Sequence, residues 1–359
     1  MRKMRVLSSV LASVLLIGCI GVLGCKKEEP TTIEYDRSAF FGLAEKPAEL
    51  APNTDVGVSS AWVLDTVKAL GAQAFRVEVR FSDLFKVKKD DGLSFHEETL
   101  EKYREFIDGL TANGVKKISL VNTAYLHPYG YGVTSEYAVP DPVTENADYV
   151  RFLQLQEKGF TMLAREFPEV EYFEPSCSAN EDKYIHKNGY VDGGEEEKNA
   201  VYAFSADELH HIVADMCWYV NRGVSRQNGK ARVVLPAIAD EGNTDDFLTG
   251  IYRAISSQSL PIAEEFSDND PDHYFQVLYW QPEITQTTDL DKALMDGQKE
   301  LYAIAQSYGD GDKPVWYAQI GWQDETTTEL SKDYLALFDK VKEELPFVET
   351  VYLTRLISE

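Results

Sequence analysis

The sequence predicts an α/β fold, a single (β/α)8 barrel domain of the TIM-barrel type. Three observations support this prediction. From residue 38 onward, strand-like apolar runs alternate with amphipathic helical stretches, which is the pattern of a parallel sheet covered by helices. The strand candidates number eight, the number that closes a barrel of this kind. No stretch rich in Pro, Gly and Ser interrupts the alternation, so residues 38–359 are expected to form one domain.

The predicted elements alternate from one end of the domain to the other. The strands are predicted at residues 39–43, 74–79, 117–121, 170–174, 232–236, 274–278, 315–319 and 348–353. Helix signals stand between them: Ser59 and Ser60 cap the start of the first helix, and Asn113-Gly114 stops the second. The helices are predicted at residues 59–70, 98–113, 149–166, 206–222, 245–256, 291–308 and 330–345.

A targeting segment precedes the barrel. Basic residues come first and an apolar run to Leu23 follows, which is typical of a secretory signal. Cys19 and Cys25 each end an apolar stretch with Gly before the Cys, which resembles the lipobox of bacterial lipoproteins, where the chain is cleaved before an acylated Cys. We predict acylation at Cys25, because a polar stretch follows it at once, whereas cleavage at Cys19 would leave an apolar stub. This makes residues 1–25 a lipoprotein signal peptide and residues 26–37 a flexible tether.

The targeting segment and the net charge bound the location and the partners. We expect the mature chain to be secreted and anchored to the outer face of a bacterial membrane as a lipoprotein. An uncleaved membrane anchor is the alternative, since the apolar run approaches the roughly 20 residues that span a bilayer. The formal net charge of −25 argues against nucleic acid as a partner, because no basic patch is present to displace counterions from phosphates. Neutral sugars would not be repelled by such a surface.

Cysteine and histidine usage indicates neither a disulfide framework nor a metal site. Beyond the targeting segment only Cys177 and Cys217 occur, either as a single bridge or as two separate buried thiols. His210 and His211 are adjacent and lack the i, i+4 spacing of a zinc-binding helix. We expect no metal and no cofactor.

The residues expected to carry chemistry lie at the C-terminal ends of strands, where barrels of this kind place their active sites. Asn180-Glu181 follows the predicted fourth strand, and the predicted seventh strand ends at Gln319. The long loops after strands three and four, residues 123–148 and 175–205, are rich in Tyr, His, Asn and Asp, which suits the faces and hydroxyls of sugar rings.

Several stretches taken together resemble clan A of the glycoside hydrolases, most closely its β-xylosidase-like family 39 group. They run in order through the domain and comprise Phe40-Phe41-Gly42, residues 70–77, Asn113-Gly114-Val115, residues 170–174 with Asn180-Glu181, residues 234–237 and residues 313–322. The resemblance implies a retaining mechanism. One carboxylic acid protonates the glycosidic oxygen, and a carboxylate about 5 to 5.5 Å away attacks the anomeric carbon.

Carried onto the matching positions, the resemblance makes Glu181 the general acid and base. Asn180 would hold the hydroxyl next to the anomeric carbon, and Arg76 on the second strand would lie beneath the nucleophile. The alternative for Arg76 is an ion pair with Glu78 or with a neighbouring strand. Gln319 stands where the family has its nucleophilic Glu, and an amide loses the charge and nearly all the nucleophilicity of a carboxylate.

Four aromatic side chains are further candidates for contacts with a sugar. Trp280 lies at the end of the sixth strand and Trp322 just after the seventh, whereas His127 and Tyr184 lie in the loops after strands three and four. Aromatic faces offer stacking surfaces to sugar rings. The alternatives are a packed rim aromatic for Trp280 and ordinary turn chemistry for His127.

The missing carboxylate leaves three hypotheses open for a protein that acts on or recognises an oligo- or polysaccharide. The first is a modified glycosidase, in which Glu283, Asp324 or Glu325 serves as a displaced base or the acetamido group of a substrate attacks. The second is a non-catalytic carbohydrate-binding pseudoenzyme. The third is a transporter solute-binding lipoprotein, which would need two lobes and a hinge; the uninterrupted alternation argues against it.

Overall fold

A computed structural model describes most of the chain. The described stretches are residues 36–44, 47–50, 58–191, 194–239, 244–257, 269–281, 295–320 and 338–353. Within them, the side chains of residues 196–197, 244–245 and 318–320 lie outside the description. Among the helices of these stretches, none has the length and apolarity that crossing a membrane requires.

Eight parallel strands form the barrel in the described part of the chain. They are β1 (Phe41–Leu43), β2 (Ala74–Arg80), β3 (Lys117–Ala124), β4 (Tyr172–Glu174), β5 in two segments (Arg232–Val233 and Ile238–Ala239), β6 (Leu278–Gln281), β7 (Val315–Ile320) and β8 (Val348–Leu353). The strands follow one another round the barrel in chain order, and β8 pairs with β1. The predicted fold class is therefore confirmed.

The barrel closes at β5, which is interrupted in the middle. Pro236 lies in the interruption and has no N–H to give to a strand ladder. The first segment of β5 pairs with β4 and the second with β6. Between them, Val234 bridges Val277, and the Leu235 amide donates to the Val277 carbonyl at 2.9 Å. These bonds join the two edges of the sheet into a ring.

Helices surround the barrel, and local signals set their ends. The Ser59 side chain accepts a hydrogen bond from the Trp62 amide, and Gly71 ends the same helix with a φ of 65°. Ser205 and Glu208 form a reciprocal capping box. The α-helices span Ser60–Leu70, Phe81–Leu84, Glu97–Ala112, Asn146–Glu166, Glu196–Asn199, Ala206–Ser225, Thr244–Ser257, Gly297–Ser307 and residues 338–344. Single turns of 3-10 helix span Ala48–Leu50, Ala200–Tyr202 and Pro271–His273.

Two of the differences from the predicted elements concern strands. The sixth strand was placed at residues 274–278, whereas β6 spans Leu278–Gln281, because the 3-10 turn of Pro271–His273 precedes it. An antiparallel hairpin of Phe85–Val87 and Leu93–Phe95 follows β2 and has no counterpart among the predicted elements. Both differences lie where short turns override an apolar pattern.

Side chains that point inward fill the barrel with an aromatic layer. Tyr172, Tyr279, Trp316 and Tyr352 are all buried there. The ring centroids of Tyr172 and Trp316 are 4.7 Å apart, and those of Trp316 and Tyr352 are 5.7 Å apart. Inward positions alternate with outward ones, which pack against the helices. This layer forms the floor of the site described next.

Candidate functional site

The charged residues of β2 reach the barrel mouth, the end at which the strands finish. Arg76 is 1% exposed, and its Nε donates to Glu174 Oε2 across the interior at 2.8 Å. The Ser119 hydroxyl, on the strand between them, donates to the other carboxylate oxygen at 2.5 Å. Burial, the largest single cause, acts to lower the pKa of Arg76, but Glu174 and the other surrounding groups together outweigh it and raise the pKa. Arg76 is thus ion-paired with Glu174 of β4, two strands away, and its expected place beneath Gln319 stays a prediction.

Cys177 follows β4 and is influenced by the charges of this cluster. Burial raises the pKa of the Cys177 thiol, and beside burial the charges of Arg76, Glu78 and Glu181 act on it. Such charge effects fall off with distance, so these three charged groups are within electrostatic range of the thiol. Cys177 and Cys217 are both free thiols, which settles the choice that the sequence left open.

Asn180 is fastened to the end of β5. It is 8% exposed; its Nδ2 donates to the Ala239 carbonyl and its Oδ1 accepts from the Ala239 amide, both at 2.8 Å. The Ala179 amide donates to the Ala237 carbonyl at 2.9 Å. The Asn180 carboxamide thus takes the place of a backbone peptide group in pairing with Ala239. Both of its polar atoms are engaged with backbone, where the resemblance would have them hold a sugar hydroxyl.

Glu181 opens a turn beyond the strand. Its carbonyl accepts from the amides of Tyr184 and Ile185, at 2.9 and 3.4 Å. Its side chain is 17% exposed, and Oε1 lies 2.8 Å from Lys183 Nζ. The carboxylate is therefore partly exposed and paired with a lysine of its own turn.

Tyr184 lies beside Glu181, as part of a group of tyrosines. Burial raises the pKa of Tyr184 to about 12. Its ring meets the Tyr137 ring edge to face at 5.5 Å, and the Tyr125 hydroxyl lies 2.9 Å from its carbonyl. Tyr184 is thus placed near the predicted acid, and Tyr137 is a neighbour that the sequence reasoning did not single out.

Two of the predicted residues are packed against other parts of the protein. Trp280 is 2% exposed and packs outward, 5.9 Å from the Tyr317 ring and against Gly297 of a surrounding helix. The reason is strand alternation, because Tyr279 takes the inward position. His127 is held within its own loop: Nε2 lies 2.8 Å from the Ala138 carbonyl, and burial lowers its pKa.

The position of Gln319 is defined by its backbone. Tyr317 pairs with Val351 and Ile320 with Leu353, so residues 318 and 319 of β7 together face the single residue Tyr352 on β8. This is a β-bulge, a feature that re-aims side chains and is common beside active sites. Tyr352 itself points into the barrel.

The remaining predicted residues lie outside the described stretches. These are Trp322, the lipidation candidate Cys25 and the displaced-base candidates Glu283, Asp324 and Glu325. The side chain of Gln319 is also outside, so the separation of Glu181 from Gln319 stays a prediction.

The two long loops form one rim on the side of β3 and β4. Ala138 bridges His186, and the Val139 amide donates to the His186 carbonyl at 2.8 Å. The Thr134 amide donates to the Asn188 side chain at 2.9 Å. These bonds hold the loops to one another, so the turn that carries Glu181 has a fixed support.

Strand alternation predicts that Arg76, Glu78 and Arg80 share one face of β2 at the mouth, but the partners of the two arginines were missed from the sequence. Arg80 donates to Glu136 through both terminal nitrogens and to Asp83 through Nε, which ties β2 to the rim. Glu174 and Ser119 complete the pair with Arg76. Alternation along β2 does place Arg80 on the face of Arg76, but no local signal names its partners.

Some of the buried polar atoms without a protein partner lie inside the upper barrel. In the described part of the chain, the buried atoms there or just after β4 that make no hydrogen bond include Arg76 Nη2, Ser178 Oγ, Tyr279 Oη and Tyr352 Oη. Buried donors normally find a partner, so water or a ligand is needed to satisfy them. No cluster of three or more His, Cys, Asp or Glu suited to a metal occurs among the residues described.

Comparison with known proteins found solved structures that share this fold. No protein-family model matches the chain, and no curated protein matches it. A GH39 enzyme from Xanthomonas axonopodis pv. citri superposes with a TM-score of 0.55 at 15% identity, covering 89% of this chain and 59% of its own. A monomeric beta-xylosidase from Caulobacter crescentus CB15 gives 0.53 at 14% identity, covering 89% and 60%.

A second group of solved structures is closer in length. A GH5-4 broad specificity endoglucanase from Clostridium acetobutylicum gives a TM-score of 0.52 at 13% identity, covering 88% of this chain and 87% of its own. The chain spans about three fifths of the GH39 enzyme and the xylosidase. At these identities the likeness shows the fold alone, which is the α/β TIM barrel that glycoside hydrolases share.

Proposed function

We propose that the barrel mouth binds an oligo- or polysaccharide and that the protein recognises this glycan without cleaving it by the retaining route. The observation that carries the proposal is the buried Arg76–Glu174 pair with unpaired buried hydroxyls at the C-terminal end of a glycosidase-type barrel, where Glu181 opens the turn after β4. A sugar carries many hydroxyls, each able to donate and accept. Such a ligand suits a mouth that offers carboxylates, a guanidinium nitrogen and tyrosine hydroxyls together.

Gln319 decides between binding and cleavage in this proposal. It would face the sugar opposite Glu181, holding hydroxyls through its amide. Without a carboxylate at this position no covalent glycosyl intermediate forms, and the developing positive charge at the anomeric carbon has no partner. The protein is then a pseudoenzyme, with Glu181 and Trp322 as further contacts.

The same proposal includes the location of the protein. Acylation at Cys25 would anchor the chain to the outer face of a bacterial membrane, where large glycans are within reach. Mass spectrometry of the membrane fraction tests this part separately. The native chain should carry lipid on Cys25, and Cys25→Ser should yield a protein without lipid.

The central test compares binding and hydrolysis in three chains. The native protein should bind a glycan on an array and in calorimetry, and should hydrolyse no aryl β-glycoside. Gln319→Glu should gain hydrolysis at least tenfold above background, because it restores the nucleophile. Gln306→Glu adds the same charge at an exposed helix position and is the matched control.

Other results would redirect the proposal. Hydrolysis by the native chain that survives in both variants would identify a displaced base and an active glycosidase. Absence of glycan binding together with absence of hydrolysis in every chain would overturn the proposal.

A further inference from the structure

Lys183 contacts the carboxylate of Glu181, which the sequence resemblance would make the general acid. Its Nζ lies 2.8 Å from Glu181 Oε1 and 4.7 Å from the centre of the Tyr184 ring. Burial, the largest single cause, acts to lower the pKa of Lys183, but its interactions with Glu181 and Tyr184 together outweigh burial and raise the pKa. The ammonium is therefore positively charged and engaged at neutral pH.

The pair is part of a supported turn rather than a mobile surface contact. The amides of Tyr184 and Ile185 both donate to the Glu181 carbonyl, which fixes the path between residues 181 and 185. Ile185 is fully buried, and the next residue, His186, bridges Ala138 of the neighbouring loop. Lys183 is thus carried on a turn that is anchored at both of its sides.

We infer that Lys183 is a positioning residue that holds Glu181 as a hydrogen-bond acceptor for sugar hydroxyls and keeps it from serving as a proton donor. The inference rests on the proposed function, because it takes the mouth as the glycan site. It adds a second feature, independent of Gln319, that separates this site from hydrolysis.

The chemistry of glycoside cleavage gives the reason. A general acid must present an O–H to the glycosidic oxygen and is normally surrounded by groups that favour its neutral form. The Lys183 ammonium instead donates to Glu181 Oε1, so this oxygen is already in use as an acceptor. A carboxylate used in this way accepts hydrogen bonds from hydroxyls, which is a binding role.

The inference predicts that restoring the nucleophile alone gives incomplete catalysis. In Gln319→Glu, the new carboxylate would form a bond with the anomeric carbon while the bond to the leaving oxygen breaks. A 2,4-dinitrophenolate leaving group departs without a proton, whereas an alkyl alcohol needs one. Gln319→Glu should therefore cleave 2,4-dinitrophenyl glycosides but hardly any alkyl glycosides.

Removing the ammonium should selectively raise the activity on alkyl glycosides, the second substrate class. Lys183→Met combined with Gln319→Glu should raise kcat/KM for alkyl glycosides at least tenfold over Gln319→Glu alone, with less than threefold change for dinitrophenyl glycosides. Lys183→Arg in the same background retains the cation and should behave like Gln319→Glu. Lys187→Met is the matched control, because Lys187 lies in the same loop and pairs with Asp141 and Glu208.

Binding by chains with the native Gln319 gives a second readout. Lys183→Met should weaken glycan binding at least fivefold, since Glu181 loses its fixed orientation, while Lys183→Arg should stay within twofold. Thermal melting should place all of these variants within about 2 °C of the parent, because the lysine is half exposed and its pair adds little stability.

The outcomes separate the inference from the proposed function. If the native chain binds glycan but Lys183→Met leaves both the leaving-group dependence and the affinity unchanged, the inference is overturned and the proposed function stands. Equal gains on both substrates would also overturn it. If no glycan binds and Gln319→Glu cleaves not even dinitrophenyl glycosides, both fall together.

Discussion

The two ends of the barrel interior each contain a buried ion pair, and they differ in how completely their polar atoms are used. At the lower end, Lys117 Nζ lies 3.1 Å from Glu349 Oε1 and donates to the Asp36 carbonyl at 2.8 Å. The second oxygen of Glu349 accepts from Trp316 Nε1 at 2.9 Å. This pair has partners for both carboxylate oxygens.

At the upper end, Arg76 and Glu174 form the corresponding pair, but the surrounding polar atoms are not all used. Arg76 Nη2 and the hydroxyls of Tyr279 and Tyr352 have no protein partner in the part of the chain that the structure describes. The lower end of a barrel usually serves stability and the upper end chemistry. The difference indicates that the hydrogen bonds of the lower pair are satisfied within the protein, whereas those of the upper cluster are satisfied by water or a ligand.

The largest effect is expected from breaking the lower pair. Glu349→Gln leaves the buried ammonium of Lys117 without its counter-charge, which should cost about 3 to 5 kcal/mol of unfolding free energy. Urea denaturation measures it, with the exposed Glu344→Gln as the control. A loss below about 1 kcal/mol would show that the lower end is as open as the upper one.

Asp215 is a third buried carboxyl to compare with those at the two ends of the barrel, and no cation pairs with it among the described residues. Asp215 accepts from the Tyr149 hydroxyl at 2.9 Å between two helices, and burial raises its pKa to about 7 from a usual 3.8. Between these two values the folded state binds the extra proton, so stability falls as pH rises and the full penalty applies above about pH 7. Asp215→Asn should therefore stabilise the protein by about 1 to 3 kcal/mol at pH 8.

The pH dependence of the stability gain is the control for Asp215→Asn. The gain from Asp215→Asn should shrink as pH falls below 7 and vanish near pH 4, where the carboxyl is protonated in both states. Thermal melting at pH 4.5, 6 and 8 measures it. An equal gain at all three values would mean that the titration of Asp215 is not its cause.

An intermediate effect is expected where the mouth is fastened to the barrel. Asn180→Ala removes two hydrogen bonds to Ala239 and should cost about 1 to 2 kcal/mol of unfolding free energy. Glycan affinity should fall as well, because Glu181 follows directly. Asn188→Ala, in the same rim but farther along the loop, is the comparison. An unchanged affinity in Asn180→Ala would separate the fastening from the site.

The smallest effect on stability, and the sharpest contrast with the lower pair, is expected at Tyr352. Tyr352→Phe removes a buried hydroxyl that has no protein partner, so the unfolding free energy should change by less than about 1 kcal/mol. Glycan affinity should nevertheless fall severalfold in titration calorimetry. Tyr103→Phe is the control, because its hydroxyl already donates to the Glu78 carbonyl and lies outside the mouth. A large stability loss at Tyr352 with unchanged affinity would make it a structural residue.

Much of the fold could be predicted because its signals are local. The strand at residues 74–79 is seen as β2 (Ala74–Arg80), and the Ser59 cap and the stop at Asn113-Gly114 lie where the sequence placed them. The sixth strand was displaced because its start depends on a turn whose alternatives differ little in local pattern. The position of the strand also decides how Trp280 is placed. Its register makes Tyr279 the inward aromatic and Trp280 the outward one.

The sequence by itself determined the alternation that makes a barrel, the helix ends and the presence of Asn180, Glu181 and Gln319 at strand ends, because these follow from neighbours a few residues apart. Only the tertiary structure decided which carboxylate neutralises Arg76, which backbone Asn180 holds and which buried hydroxyls are left without partners. Those contacts join residues far apart in the chain. They depend on the stagger of strands around a closed ring, and no local pattern encodes that stagger.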